Sequence, residues 1–401
     1  MSDLTARWRA LPWWARVTAV FLGGRVIDTV LLLWQASIEG ANAWTSAHPG
    51  YLLFANIWDG RWYQLVAEVG YPRVLQFDAR GHIVQNQWAF LPVYPYAVKG
   101  VMAITRMPWE AAAVLVTVLC AWGATLVFYK LMRTRLRPST AMYATVLFSV
   151  APVAALYQVA YAESMFELLL AVILYLWVKR RFWAMLPFIV VAAFTRPGLV
   201  ALALALGVWV LWRFVQDWRG RAGFSVRELV ASGTATIVAF VAGLAWPMIA
   251  DAVTHHSGAY TETELSWRSS YTGWGSLVPF TSWFAGAKWW FAWWHLPVWL
   301  GYLTLVVLIL GFAAFLLVPA ARRLGPELRL WLASYGAYLL AVFFPQSSTF
   351  RILLPMFPAL GIIAAPRARW YRVTMVVASV AAQIGWLLIA WTISGYDWTP
   401  P

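Results

Sequence analysis

The chain has 401 residues, 62% of them hydrophobic and 11% charged, with a mean hydropathy of +0.67. A soluble chain carries roughly a quarter charged residues, so this one cannot cover itself with polar surface and the bilayer must be its solvent. The net charge of +14 does not point to nucleic acid, because the basic residues come in short clusters between apolar runs, as in cytoplasmic loops. Cys120 stands alone in an apolar run, which excludes a disulfide framework and a cysteine metal site.

In chain order, the apolar runs predict about eleven spans, near 16–37, 110–131, 140–160, 164–178, 183–195, 198–213, 228–250, 296–318, 330–345, 352–366 and 373–394. A span needs about 20 residues, so the runs near 15 are read as shorter cores with amphipathic ends. The N-terminus lacks a short apolar stretch with a small-residue cleavage site, so the first run reads as an uncleaved signal anchor. Arg25 and Asp28 lie three apart inside it and are expected to pair.

The stretch from Trp88 to Ile104 decides the topology. If it spans, Arg133, Arg135 and Arg137 and the later basic clusters fall outside. If it lies at the outer face as a juxtamembrane helix, every cluster falls inside. Pro92, Pro95 and Lys99 also suit the second arrangement. The expectation is an all-α polytopic protein, one membrane domain over 1–401, with the N-terminus cytoplasmic and two long outer segments near 38–109 and 251–295. The absence of Asn-x-Ser/Thr sequons and the Arg- and Trp-rich style favour a bacterial plasma membrane.

The first outer segment contains Asn56-Ile-Trp-Asp-Gly-Arg-Trp-Tyr63, then Glu68-Val-Gly-Tyr71 and Trp88-Ala-Phe-Leu-Pro-Val-Tyr-Pro95. Asp59 stands among aromatics at membrane level, where a bare carboxylate costs energy unless something uses or pairs it. It reads either as a working group or as a helix cap or partner of Arg61.

This segment resembles the first luminal loop of PIG-V type GPI mannosyltransferases and their bacterial relatives. Three later segments resemble that family in the same order. They are Ala151-Pro152 with Tyr161-Ala-Glu-Ser-Met-Phe166, then Phe194-Thr-Arg-Pro-Gly198, then Phe350-Arg-Ile-Leu-Leu-Pro-Met-Phe-Pro358. Ala162 and Ala151 depart from the usual Ser and Asn. The resemblance implies the GT-C glycosyltransferase fold, a polyprenyl phosphomannose donor, a lipid-linked or protein acceptor, and Asp59 as catalytic base. It implies no cofactor.

An inverting transfer needs a carboxylate to take the proton of the attacking hydroxyl, and positive charge where the departing phosphate gathers negative charge. Arginines can supply that charge to a monophosphodiester without a metal. Arg351, Arg268 and Arg196 are the candidates. Each has a plainer structural reading, an interfacial anchor for Arg351 and, for Arg196, an ion pair with Glu163 beside the helix break at Pro197-Gly198. Arg61, Trp62, Tyr63, Glu163 and Glu264 are candidate substrate contacts, with Glu163 alternatively capping a helix from Ser164. His255-His256 has no i, i+4 partner, so no metal site is expected. Trp283 to Trp294 reads as an amphipathic interfacial helix. A transporter or lipid flippase is the competing function, and a non-catalytic scaffold the third; functional charges clustered at outer ends and the lack of an obvious repeat disfavour transport.

Overall fold

The computed structural model describes residues 6, 8, 10–221 and 223–393. It is helical, and among the described residues the only β pairing is an isolated bridge between Phe77 and Ile83. The longer helices are α1 (Trp13–Ile38), α2 (Asp59–Val69), α3 (Val93–Thr105), α4 (Trp109–Arg133), α5 (Pro138–Ser149), α6 (Glu163–Val178), α7 (Phe182–Ala193), α8 (Leu199–Trp218), α9 (Val226–Thr254), α10 (Ala259–Thr272), α11 (Ser282–Trp293), α12 (Val298–Leu317), α13 (Gly325–Val342) and α14 (Arg369–Trp386).

Among the described residues six helices are long and apolar enough to cross a bilayer: α1, α4, α8, α9, α12 and α14 with its π-helical extension to Trp391. The other five expected spans are shorter, less apolar or broken. The run at 140–160 is helical only to Ser149; the one at 183–195 forms a 12-residue helix with Pro187 inside it. The run at 352–366 breaks into short turns around Pro355 and Pro358. Proline explains the breaks after Ser149, at Pro152, and around Pro355 and Pro358: it lacks the N–H that a helix interior requires and its ring displaces the preceding turn. The ambiguous stretch after Trp88 forms α3, whose 13 residues rise about 20 Å, short of the roughly 30 Å hydrocarbon core.

The chain divides into two compact units, each assembled from non-consecutive segments. One comprises Met1–Arg61, Ala97–Tyr175 and Phe350–Pro401; the other comprises Trp62–Tyr96 and Leu176–Thr349.

In the first unit, α1 packs on α4, α5 and the 3-10 turn Ala154–Gln158. A Cβ at Gly24 would collide with the Ser149 carbonyl oxygen, so glycine is what lets α1 approach the end of α5. α4 starts behind Pro108 with Glu110 in its first turn and ends with Lys130 and Arg133, each charge on the side that the helix dipole favours. Phe128 stacks on Phe148 at 4.8 Å, and Phe357 meets both edge-on. Arg25 and Asp28 pair at 2.6 Å as the sequence predicts, the carboxylate fully buried.

In the second unit, α8 packs on α9 and α13, and α7 on α9. Ser225 caps α9 by accepting from the Glu228 amide, and the Ser-x-x-Glu spacing is that of a capping box. Arg180 reaches buried Glu327 at 2.9 Å and lies over the Trp209 ring. The segment between α2 and α3 is held by a cluster of Leu75, Ile83, Trp88, Leu91 and Trp246, with Tyr71 packed against it.

Candidate active site

The site forms within the first unit, around the motif that begins at Asn56. Asn56 is fully buried, and its Oδ1 accepts from the Trp109 indole at 2.7 Å. The Ala160 amide donates to the Ala55 carbonyl at 2.9 Å. Trp58 then adopts a left-handed conformation, φ 58°, a sparsely populated state for a bulky residue that costs about 1–3 kcal/mol. Its indole donates to the Trp391 carbonyl at 2.8 Å, which holds the turn in place. Strain of this kind collects at functional sites, and here it immediately precedes Asp59.

Asp59 opens α2, where the dipole of the helix favours a carboxylate. A Cβ at Gly60 would lie 2.9 Å from Asn56 Oδ1 and 3.2 Å from the Ala160 Cβ. The glycine of the Trp-Asp-Gly-Arg string is therefore a packing requirement of this turn.

Arg351, from the short turn Thr349–Ile352, donates from Nη1 to Asp59 Oδ2. The same nitrogen lies 3.2 Å from Glu163 Oε1. Side-chain exposures are 12% for Arg351, 17% for Asp59 and 1% for Glu163, so Asp59 keeps the most access. The Arg351 guanidinium also sits 5.2 Å from the centre of the Tyr161 ring, whose hydroxyl accepts from the Asp59 amide at 3.3 Å. Burial works to lower the Arg351 pKa, but the charges of Asp59 and then Glu163 outweigh it and push it up, so the guanidinium stays charged at any working pH. Burial first, then the Asp59 charge, raises the Tyr161 phenol well above its ordinary range.

Several expectations change. Arg351, read alternatively as an interfacial anchor, is largely enclosed between two carboxylates. Asp59 takes Arg351 as its ion partner, whereas Arg61 approaches Glu110 at 4.0 Å. Glu163 is itself the first residue of α6, so it does not cap a helix from Ser164, and it meets the Arg351 cation at 3.2 Å.

The remaining candidates lie in the second unit. Trp62 stacks on Phe90 at 5.5 Å with Trp267 edge-on at 5.7 Å, and Tyr63 is buried against Phe90 and Tyr94. Arg196 sits at the predicted break between α7 and α8, with Gly198 at φ 121°. Its charge acts on Tyr260, whose phenol is raised well above its ordinary range by burial and then by Glu264. Arg268 bonds Ser282 Oγ at 3.0 Å and lies over Phe344; partial burial lowers its pKa. His256 meets Glu262 at 3.3 Å. Among the described residues no group of three or more His, Cys, Asp or Glu is placed to hold a metal. Trp283 to Trp294 is nearly all helix, as α11.

Asn56, Gly60, Trp109, Tyr161 and Trp391 were not among the sequence candidates. Tyr161 stood inside a motif and so carried a signal. Trp109 and Trp391 had none, because apolar runs hide which indole is anchored.

No protein-family model matches the chain, and no curated protein matches it in sequence. Among solved structures it is similar to ArnT from Cupriavidus metallidurans bound to undecaprenyl phosphate, with 13% identity and a TM-score of 0.47 over 92% of this chain and 71% of that one. It is also similar to the apo oligosaccharyltransferase of Archaeoglobus fulgidus, with 14% identity and a TM-score of 0.48 over 98% of this chain and 57% of that one. At this identity, and with TM-scores below 0.5, these likenesses carry no argument about the chemistry of this chain.

Proposed function

We propose that the chain is an inverting membrane glycosyltransferase of the GT-C type that moves mannose from polyprenyl phosphomannose to a lipid-linked or protein hydroxyl at the outer face of the membrane. The observation that carries this reading is the placement of Asp59. The acid singled out by the motif opens a helix behind a strained residue, beside a permanent cation and a second carboxylate. The four motif segments, in the order of the PIG-V type enzymes, supply the sugar and the donor class.

The acceptor oxygen attacks the anomeric carbon as the bond from that carbon to the phosphate oxygen breaks. The hydroxyl proton passes to an Asp59 oxygen, and the bond's electron pair leaves with polyprenyl phosphate, which gains one negative charge. A carboxylate that accepts from Arg351 is a weak base, so the pair must loosen before transfer. The donor phosphate is the natural competitor for that guanidinium. Glu163 retains a hold on Arg351 as it turns, which keeps the cation near the leaving oxygen. Arg268 and Arg196 are further candidates for the phosphate. Arg61, Trp62, Tyr63 and Glu264 are candidates for contacts to the sugars.

The test is transfer by purified protein from radiolabelled polyprenyl phosphomannose to a membrane lipid extract. Wild type yields a labelled mannolipid, and Asp59→Asn, which keeps shape but cannot take a proton, loses about 100-fold or more of the rate. Equal product from both removes Asp59 as base. Liposome uptake or flipping without any covalent product replaces the reading with a transporter.

A further inference from the structure

Residues 150–162 join α5 to α6, and all but Pro152 are buried, yet none is α-helical. Away from water, their backbone groups need partners inside the protein. Local turns supply some, such as the Ala154 amide to the Ala151 carbonyl at 2.8 Å. Side chains from distant helices supply others. Arg25 of α1 donates from Nη2 to the Ser149 carbonyl and from Nη1 to the Ala154 carbonyl, both at 3.0 Å. Gln383 of α14 donates to the Ala151 carbonyl at 3.0 Å. Tyr51 donates to the Gln158 carbonyl at 2.9 Å, and Thr117 of α4 to the Tyr161 carbonyl at 3.4 Å.

Arg25 is the charged member of this set. Asp28 faces it at 2.6 Å, and the Phe21 and Tyr157 rings each centre 5.2 Å from the guanidinium carbon. A planar fork can meet two carbonyls, a carboxylate and two ring faces at once, which an ammonium cannot. Tyr157 belongs to the segment itself and donates to Glu167 of α6 at 2.9 Å. The segment then delivers Tyr161 and Glu163, the two residues that meet Asp59 and Arg351.

We propose that the Arg25–Asp28 pair is a positioning device, a clamp on residues 150–162 that sets Tyr161 and Glu163 in register against Asp59 and Arg351. Its consequence for turnover rests on the glycosyl-transfer reading; the clamp itself does not. A buried ion pair that served only stability would loosen its surroundings when weakened without changing kcat of the folded protein.

Arg25→Lys keeps the charge opposite Asp28 and loses the fork. In lipid nanodiscs, hydrogen exchange in peptides covering 150–162 should quicken about tenfold or more while α9 is unchanged. With synthetic polyprenyl phosphomannose and total membrane lipid, kcat should fall about tenfold or more and the donor KM stay within about twofold. Tyr51→Phe is the milder variant, expected to fold whatever Arg25→Lys does, and should quicken exchange at the same peptides to a smaller degree. Leu332→Ala, in the core of α13, lowers stability and should leave both readouts alone. Unchanged exchange in 150–162, an even rise along the chain, or a local rise with unchanged kcat overturns the proposal. If wild type makes no mannolipid, the glycosyl-transfer reading fails, and the exchange pattern alone upholds or overturns the clamp.

Discussion

Arg351 lies between the carboxyl groups of Asp59 and Glu163, so the geometry of its fork matters as well as its charge. Arg351→Lys offers a point charge that cannot face both acids and a phosphate, and kcat should fall about tenfold or more with the protein still folded. A pH profile separates the titrating groups. Both the Arg351 guanidinium and the Tyr161 phenol are raised, so with rising pH the first stays charged and the second stays neutral. The kcat/KM profile of wild type should rise as a carboxylate ionises and then stay flat to about pH 9. An alkaline fall that disappears in Tyr161→Phe would show that the phenol titrates after all. Asp59 could be singled out in the sequence because an acid among aromatics near a membrane costs energy unless used or paired, and because its motif resembles that of the PIG-V type enzymes. Its partner was not, since 292 residues separate the two and no periodicity links them.

Helices were legible wherever hydrophobic runs were continuous, and their ends were legible where proline or glycine stood, as at Pro197-Gly198. The run at 140–160 misled because hydropathy averages over a break: Val150 to Ala162 is apolar and buried except at Pro152, but Pro152 and the turn after it prevent an α-helix. What holds that stretch is hydrogen bonding from other helices, which leaves no trace in local composition. The approach of α1 to α5 gives a sharp paired test. Gly24→Ala drives a methyl into the Ser149 carbonyl and should destabilise by about 1–3 kcal/mol. Gly23→Ala, with nothing near its added carbon, should be neutral or stabilise by about 0.5–1 kcal/mol. Thermal unfolding of both variants in the same detergent reads the difference, and equal shifts would show that α1 tolerates a wider spacing there.

For the molecule as a whole, composition settled the solvent and charge placement set an orientation. The net charge of +14 resides largely in clusters such as Arg133/Arg135/Arg137 and Arg213/Arg219/Arg221/Arg227. Labelling can test that orientation, because Cys120 is the sole thiol and is readily replaced. In a Cys120→Ala background, Arg80→Cys should react with an impermeant maleimide on intact cells, and Arg221→Cys only after permeabilisation. The opposite pattern would invert the topology and place Asp59 on the cytoplasmic side. The span count is where sequence and structure part most, since among the described residues six helices meet the length and hydropathy of a crossing.

The bonds of Arg25 to Ser149 and Ala154 join residues 124 and 129 positions apart. During synthesis α1 therefore leaves the ribosome long before the carbonyls that receive its guanidinium exist, by roughly 6–25 s at ordinary elongation rates. Through that interval Asp28, one turn away, is the partner at hand. The acid thus serves as an escort that lets a charged first helix enter the bilayer and wait, and the order of biogenesis is written into a spacing of three residues.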